Sequence, residues 1–455
     1  MSIDPEVHER ISAAAEGLYG ETVQLIRELV RIPSESPNYA YAKIYQERGY
    51  TKLYDAPVTL GGERKVAEHL EPVFTSLGAE TFMEAKEPLR PNLIGILPGS
   101  GGGRSLALNA HTDTVPTGPH EEWRWGDPFS ARLEEGRLWG RGSTDDKGPL
   151  ACMIKAAEVI QRAGFRLRGE LQLHATVGEE TMDGKTHGPG YFLPRNPRCV
   201  TDACLVCESS APPHRHGICL ASGGASWLHI EVAGKPVHAA MGYRTYRMGY
   251  EGGEVGMDAI GKALKIYRGL ADLDEEWAAS KLDPQGLTPM GYPSIITAWI
   301  HGHPKGIEIP FFVADHCELG AAVWRDPRDS YERVRKEVDE RIHAVCQMDP
   351  WLREHPPNVE WRLDWPPFRI EQDHPLVAAA GRAYETVLRQ EPRYMTWQPV
   401  SDARFYQECG VPSLLMGPGD YRRAHCYDEY LELDQIVEGL AIYALTILDW
   451  CGFDG

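Results

Sequence analysis

In the first half of the chain, short apolar segments typical of strands alternate with longer segments whose apolar residues recur at helical spacing. The strand-like segments are 92–97, 105–110, 171–177 and 203–207. The segments with helical spacing include 18–30, 62–77 and 147–163. Strands separated by helices favour a parallel sheet, because each crossover places a helix on one face of it. We therefore expect an α/β fold with a mostly parallel sheet and helices on both faces.

The pattern changes near Gly217 and returns near residue 360. Residues 225–233 alternate like a strand with one solvated face, and helical patterns and a further strand follow. This part has an α+β character of its own. We predict a first domain made of residues 1–220 and 341–455, interrupted by an inserted α+β domain at 221–340.

Charge and composition exclude several classes of function. Of the 455 residues, 47 are Lys or Arg and 66 are Asp or Glu, which gives a net charge of −19. An acidic chain without a basic run is a poor ligand for nucleic acids or anionic membranes. No apolar run approaches the roughly 20 residues that span a bilayer, and no signal peptide is visible. With ten irregularly spaced cysteines, we expect a cytoplasmic protein with reduced thiols.

Polar clusters follow directly after several predicted strands. They are His111-Thr-Asp113, Asp145-Asp146-Lys147-Gly148, Glu179-Glu180, Glu208 and His425. In an open α/β sheet, ligands bind beyond the carboxyl ends of the strands, where distant clusters can converge. Imidazole and carboxylate groups are ligands of Zn, Mn and Co. Two such ions about 3.5–4 Å apart can activate a water molecule and polarise a carbonyl.

These clusters resemble, in order, the five metal motifs of a known enzyme family. The motifs read LNAHTDTVP, LWGRGSTDDKGPLA, ATVGEET, VCES and AHCYDEYLEL. They are similar to those of the co-catalytic dinuclear metallohydrolases of peptidase M20 type. This family contains acetylornithine deacetylase, succinyl-diaminopimelate desuccinylase and carboxypeptidase G. The resemblance covers nearly the whole chain and implies that the inserted domain is a lid and dimerisation domain.

The resemblance implies a site for two divalent ions per chain, which would be Zn, Mn or Co. His111 and Glu208 would bind one metal, and Glu180 and His425 the other. Asp145 would bridge the two ions, and the peptide bond after this Asp is often cis in the family.

The remaining roles implied by the resemblance concern catalysis and the substrate. Asp113 would orient His111, and Glu179 would be the general base. From the inserted domain, His238 would reach across a homodimer to stabilise the oxyanion. Arg325 would bind a carboxylate of a small-molecule substrate.

The leading hypothesis is hydrolysis of an amide C–N bond in a small carboxylate-bearing substrate, such as an N-acyl amino acid or a dipeptide. A second hypothesis is hydrolysis of a non-peptide C–N bond, such as deamination of an amino-substituted aromatic acid, as in nitroanthranilate aminohydrolase. It is motivated by the absence of the family's lid Asn-x-x-Pro motif and by the Tyr-rich segments 37–57 and 242–253. A third is a non-catalytic relative that binds a metabolite.

Overall fold

The computed structural model describes residues 3–36, 61–210, 214–240, 256–281, 293–305, 310–397 and 399–455, so the Tyr-rich segments 37–57 and 242–253 lie outside it. The chain forms two compact units. Unit 1 comprises Met1–Leu220, Arg369–Met395 and Ser401–Gly455, and unit 2 comprises Ala221–Phe368 and Thr396–Val400. Unit 2 therefore runs on to Phe368, beyond the expected boundary at 340, because a strand at Asn358–Trp365 pairs with the strand at Gly224–Ala233.

The helices and strands of the described residues are numbered in chain order. The helices are α1 (Pro5–Val30), α2 (Gly62–Ser76), α3 (Lys147–Arg162), α4 (Pro189–Phe192), α5 (Ala259–Ser280), α6 (Tyr331–Met348), α7 (Pro350–Glu354), α8 (Pro375–Leu388), α9 (Ala403–Glu408) and α10 (Gln435–Cys451). The strands are β1 (Glu80–Glu84), β2 (Asn92–Leu97), β3 (Leu106–His111), β4 (Arg132–Glu134), β5 (Arg137–Trp139), β6 (Arg166–Leu167), β7 (Leu171–Thr176), β8 (Cys204–Val206), β9 (Ile218–Ser222), β10 (Gly224–Ala233), β11 (Ser294–His303), β12 (His316–Arg325), β13 (Asn358–Trp365), β14 (Phe368–Arg369), β15 (Tyr394–Trp397), β16 (Ser413–Leu415), β17 (Tyr430–Glu432) and β18 (Phe453–Asp454).

The main sheet of unit 1 is mostly parallel, as expected. Six of its nine strands in the described part of the chain lie in the order β1-β2-β7-β3-β8-β16. The pairs β7–β3, β3–β8 and β8–β16 are parallel, whereas β1–β2 and β2–β7 are antiparallel. The parallel strands β3, β7 and β8 end at the same edge, so the polar residues that follow them are brought together there.

Helices cover both faces of this sheet, because successive side chains of a strand point to opposite faces. On one face, Leu171 and Leu173 of β7 join a core that also contains Met153 of α3. On the other face, His174 contacts Tyr406 of α9 and lies edge-on to Phe192 of α4. Every residue of β2, β3 and β7 is buried for this reason.

Unit 2 is an antiparallel sheet packed on helices. Its strands lie in the order β11-β12-β10-β13, and every neighbouring pair is antiparallel. Apolar residues of this sheet, including Leu228, Ile230 and Leu319, form a core with α5 and α6. The strands carry outward-facing polar residues between them, which is the alternation read from 225–233.

None of the described helices combines the length and the apolar character that crossing a membrane requires.

The buried imidazole of His174 is expected to make the stability of unit 1 depend on pH. Burial lowers its pKa to about 3, against an ordinary value near 6.5, so the folded state binds fewer protons between these values. The stabilisation is complete above about pH 6.5 and is lost as the pH falls towards 3. Between pH 7 and 4.5 we expect the wild type to lose about 2–3 kcal/mol more than His174→Gln, measured by urea unfolding. Equal losses in the two proteins would contradict the assignment.

Candidate active site and metal centre

His111 ends β3 and is held so that one ring nitrogen faces the neighbouring carboxylates. Its Nδ1 lies 2.9 Å from the main-chain carbonyl of Asp113 and 3.6 Å from Oδ1 of that residue. Because a carbonyl only accepts hydrogen bonds, Nδ1 carries the proton. Nε2 lies 2.9 Å from Asp145 Oδ1 and 3.8 Å from Glu208 Oε1. Nε2 is therefore the nitrogen that can bind a metal ion.

The carboxylate of Asp113 joins the chain segments around His111. Its oxygens accept hydrogen bonds from Ser36 Oγ at 2.8 Å and from the backbone N–H groups of Gly178 and Glu180 at 3.1 and 3.2 Å. The side chain is fully buried, so these three bonds replace its hydration. Asp113 thus fixes both His111, mainly through its backbone carbonyl, and the loop that follows β7.

Asp145 lies between the two imidazoles of the site. Its Oδ1 is 2.9 Å from His111 Nε2, and its Oδ2 is 3.5 Å from His425 Nε2. The Asp145–Asp146 peptide bond is cis, as the resemblance implied. The buried Glu429 accepts hydrogen bonds from the backbone N–H groups of Thr144 and Asp145 at 2.9 and 3.2 Å, which holds this loop in place.

The loop from Gly178 to Asp183 carries the two adjacent glutamates. It turns sharply because Gly178 has φ +85°, and a Cβ there would lie 2.2 Å from Asp183 Oδ1. Glu180 Oε2 lies 2.8 Å from His425 Nε2. Within the described part of the chain, the carboxylate of Glu179 makes no hydrogen bond, so it is left available to a water molecule or substrate.

Two carboxyl groups that the sequence analysis left unassigned also belong to the site. Asp146 Oδ2 accepts a hydrogen bond from the backbone N–H of His111 at 3.0 Å, and its side chain is fully buried. Asp402 accepts from Thr176 Oγ1 at 3.0 Å, and burial raises its pKa to about 7. The sequence signal for Asp146 was its position in the Asp-Asp pair. Asp402 had no such signal, because it follows no strand of the parallel sheet.

Five carboxyl groups and two imidazoles lie together at the centre. They are Asp145, Asp146, Glu179, Glu180, Glu208, His111 and His425. Burial raises the pKa of Glu179 and of Glu208 well above the usual range, since it disfavours their ionised forms. Burial would lower the pKa of His111, but the carboxyl groups of Asp113 and Asp145 raise it well above its usual value. Carboxylates that gather around imidazole nitrogens in this way are a fitting donor set for divalent metals.

The ligand atoms fall into two overlapping groups. His111, Asp146 and Glu208 form one, and His111, Asp145 and Glu180 form the other, each with atoms within 4.8 Å of one another. His425 lies against the second group through Glu180 and Asp145. The structure thus brings together all five residues that the resemblance named as metal ligands.

Both residues expected from the inserted domain belong to unit 2. His238 is exposed, and its Nδ1 accepts a hydrogen bond from the backbone N–H of Ala240 at 3.2 Å. The side chain of Arg325 is only 1% exposed. Its guanidinium is ion-paired with Asp364 and donates to Ser226 Oγ. A guanidinium already paired in this way has fewer donors for a substrate carboxylate than the sequence analysis assumed.

A third group of residues of metal-ligand type lies on the sheet of unit 2, but both ring nitrogens of its histidine already have hydrogen-bond partners. His229, Glu231 and Glu318 approach within 4.8 Å of one another. Arg362 can only donate, and its Nη2 lies 2.8 Å from His229 Nδ1. The proton of His229 is therefore on Nε2, which donates to Glu318 at 2.8 Å. This arrangement leaves no imidazole lone pair for a metal.

The chain belongs to peptidase family M20/M25/M40, whose family model matches residues 107–449. It is 30% identical over 447 residues to the N-formyl-4-amino-5-aminomethyl-2-methylpyrimidine deformylase of Halalkalibacterium halodurans, covering 95% of this chain and 94% of the relative. It is 27% identical over 394 residues to the acetylornithine deacetylase of Vibrio atlanticus, covering 86% and 92%. The chain is a hydrolase of this family, whose members act on amide C–N bonds.

The fold is shared with solved structures of more distant sequence. A dipeptidase of Saccharomyces cerevisiae superposes with a TM-score of 0.75 at 14% identity, over 99% of both chains. The predicted α/β fold and the family resemblance are both confirmed.

Proposed function

We propose that the chain hydrolyses the amide bond of a formyl or other small acyl group on a primary amine attached to a pyrimidine or similar ring. The relative that matches 95% of the chain is named as a deformylase of such a compound. The observation that carries the choice of substrate is the pairing of Arg325 with Asp364 and Ser226. A substrate of this kind has no carboxylate that would need Arg325, unlike the N-acyl amino acids and dipeptides of the leading sequence hypothesis.

The metal centre that we propose holds two divalent ions, which are Zn, Mn or Co. His111 and Glu208 would hold one and Glu180 and His425 the other, and Asp145, which has one oxygen towards each imidazole, would be available to both. Divalent ions at these ligands polarise the substrate carbonyl and lower the pKa of water.

Glu179 is the proposed general base. Its carboxylate takes a proton from the attacking water, whose oxygen forms a bond with the carbonyl carbon. The same carboxyl group then gives the proton to the leaving nitrogen as the C–N bond breaks, which yields a carboxylic acid and an amine.

Residues outside the metal ligands have supporting roles in this proposal. Asp113 holds His111 in the tautomer that leaves Nε2 available. His238 is exposed on unit 2. In a homodimer it would stabilise the oxyanion that forms on the substrate in the active site of the partner subunit. Arg325 organises unit 2 through Asp364, in place of the substrate contact first expected of it.

The proposed dimer forms through unit 2. In the described residues β11 is an edge strand, whose N–H and C=O groups can pair with a second copy. Its Ile296 is 50% exposed, and Leu264 and Tyr267 of the neighbouring α5 are exposed as well. Exposed apolar residues beside an open strand edge are typical of an interface.

Ile296→Lys is therefore expected to convert the dimer to a monomer, because a charge at the interface would be buried without a partner. Light scattering after size exclusion measures the change from two chains to one. Leu133→Lys, at a residue of unit 1 with 42% exposure, is the matched control and should remain dimeric. A dimeric Ile296→Lys protein would place the interface elsewhere.

The substrate proposal is tested by product analysis with the enzyme loaded separately with Zn, Mn and Co. The panel contains an N-formyl aminomethylpyrimidine, N-acetylornithine, a dipeptide and an amino-substituted aromatic acid. We expect release of formate and the free amine, with a kcat/KM at least tenfold above that for the acyl amino acid. Faster cleavage of the carboxylate-bearing substrates, or release of ammonia from the aromatic acid, would overturn the proposal.

A further inference from the structure

Arg90 is a buried arginine of unit 1, only 1% exposed, that precedes β2. Its Nε donates to both carboxylate oxygens of Glu63, at 3.0 and 2.8 Å. Its Nη1 donates to Asp183 Oδ2 at 2.8 Å, and its Nη2 lies 3.4 Å from Ser36 Oγ. One guanidinium thus joins three chain segments that are far apart in sequence.

Two of these partners, Asp183 and Ser36, connect Arg90 to the proposed metal centre through hydrogen bonds. Asp183 closes the loop that carries Glu179 and Glu180, since its backbone N–H donates to the carbonyl of Gly178 at 2.9 Å. Thr181 Oγ1 donates to Asp183 Oδ1 at 2.9 Å within the same loop.

The second route runs through Ser36. Its hydroxyl donates to Asp113 Oδ2 at 2.8 Å, and Asp113 holds His111 through its backbone carbonyl. The same Asp113 carboxylate accepts from Gly178 and Glu180. The loop from Gly178 to Asp183 is called the glutamate loop here. Arg90 therefore contacts one end of it directly, at Asp183, and is connected to the other end through Ser36 and Asp113.

We propose that Arg90 is a positioning residue of the metal centre: its guanidinium fixes Asp183 and Ser36, and through them the placement of Glu179, Glu180 and His111. This inference rests on the proposed function in that it assumes a metal at those ligands. Arg90 itself touches neither a proposed ligand nor the general base.

The geometry requires an arginine. Only a planar guanidinium offers donors in three directions at fixed angles, whereas a lysine ammonium would have to choose among these partners. Glu63 anchors the guanidinium from the first turn of α2, and its position is fixed because α2 starts against the chain before Ser36. There Gly62 packs so closely that a Cβ would lie 2.0 Å from the carbonyl oxygen of Pro33.

The charge of Arg90 supports the same role. Burial opposes ionisation of Asp183, but hydrogen bonds from His187 and Arg90 lower its pKa to about 2. The glutamate loop is thus closed by the Asp183 carboxylate, whose ionised form is stabilised by Arg90. Without Arg90, the Asp183 carboxylate would lose the hydrogen bonds of that cation at a partly buried position.

The test compares Arg90→Lys with the wild type in three measurements. They are the Zn²⁺ affinity of the apoprotein, the visible absorption spectrum of the Co²⁺-loaded protein, and kcat and KM for the best substrate of the panel. Disturbing residues that orient metal ligands typically costs 10–100-fold in affinity or activity. We expect Zn²⁺ to bind about tenfold more weakly, the Co²⁺ bands to shift, and kcat to fall about tenfold or more at nearly constant KM.

The matched control is Arg382→Lys. Arg382 pairs with Asp449 at 2.7 Å in the same unit, between α8 and α10, and has no link to the site. The same substitution at this more exposed ion pair should leave the Co²⁺ spectrum and kcat unchanged. If the two variants behave alike, or if a folded Arg90→Lys protein matches the wild type, the positioning role is overturned.

Ser36→Ala keeps the test decisive if Arg90→Lys does not fold. It removes only the hydroxyl between Arg90 and Asp113, so a shifted Co²⁺ spectrum is expected and an unshifted one overturns the proposal. The two proposals fail in different ways. If the wild type cleaves no amide of the panel, the proposed function is wrong, yet the Zn²⁺ affinity and Co²⁺ spectrum still decide the role of Arg90.

Discussion

Replacing Glu179 by Gln is expected to lower kcat by about 10²–10⁴-fold while the protein keeps its bound metal. Glutamine has nearly the same shape but cannot take a proton from water. The Glu179 carboxylate makes no hydrogen bond within the described residues, so little of the surrounding structure depends on its charge. The neighbouring Glu180 differs, because it accepts from the backbone N–H of Val115 and lies 2.8 Å from His425.

This contrast defines the measurement. Glu179→Gln and Glu180→Gln are compared for kcat, KM and metal content by mass spectrometry. The first should lose turnover and keep metal, and the second should lose metal as well as turnover. Glu121→Gln, at an exposed residue, is the control and should match the wild type. If Glu179→Gln retained even a tenth of wild-type turnover, another group would have to be the base.

The sequence predicted which residues lie together at the candidate metal centre, because their placement follows from the strand topology. His111, Glu180 and Glu208 follow parallel strands, and parallel strands deliver their carboxyl ends to one edge. The parallel pairs β3–β7 and β3–β8 place these three residues side by side. The site therefore required only the identity of the strands and the motifs at their ends.

The interactions that hold the site in place could not be read in the same way. Arg90 binds Glu63 and Asp183 across 27 and 93 residues, and neither spacing belongs to a recognisable motif. Their contact depends on how α2 packs beside the glutamate loop, which is a tertiary feature. Buried ion pairs of this kind appear in a sequence only as ordinary charged residues.

For Arg325, the sequence analysis identified the residue but could not predict its neighbours. Its partner Asp364 lies on β13, a strand that the sequence analysis assigned to the other domain by placing the boundary at 340. The guanidinium of Arg325 was expected to be free, but it is paired with Asp364 because β13 is part of the sheet of unit 2. A motif identifies a residue type in its segment, whereas the charge available to a ligand depends on every neighbour.

Asp145→Asn is expected to have the second large effect, the loss of both metals. Asp145 has one oxygen towards each imidazole of the proposed site, at 2.9 Å from His111 Nε2 and 3.5 Å from His425 Nε2. An amide offers one weak oxygen ligand in place of two anionic ones. We expect the metal content to fall from two ions to fewer than one per chain, and kcat/KM to fall by about 10³-fold or more.

Thermal unfolding provides a separate measurement of the same loss. A metal that binds only the folded state stabilises it by about 4 kcal/mol at 1,000 times its Kd, so Zn²⁺ should raise the Tm of the apo wild type. For Asp145→Asn this rise should nearly vanish. Asp202→Asn, which alters a surface contact with Ser105, should show the full rise. An Asp145→Asn protein with an undiminished rise would mean that each ion is held by its own ligands and that Asp145 joins nothing.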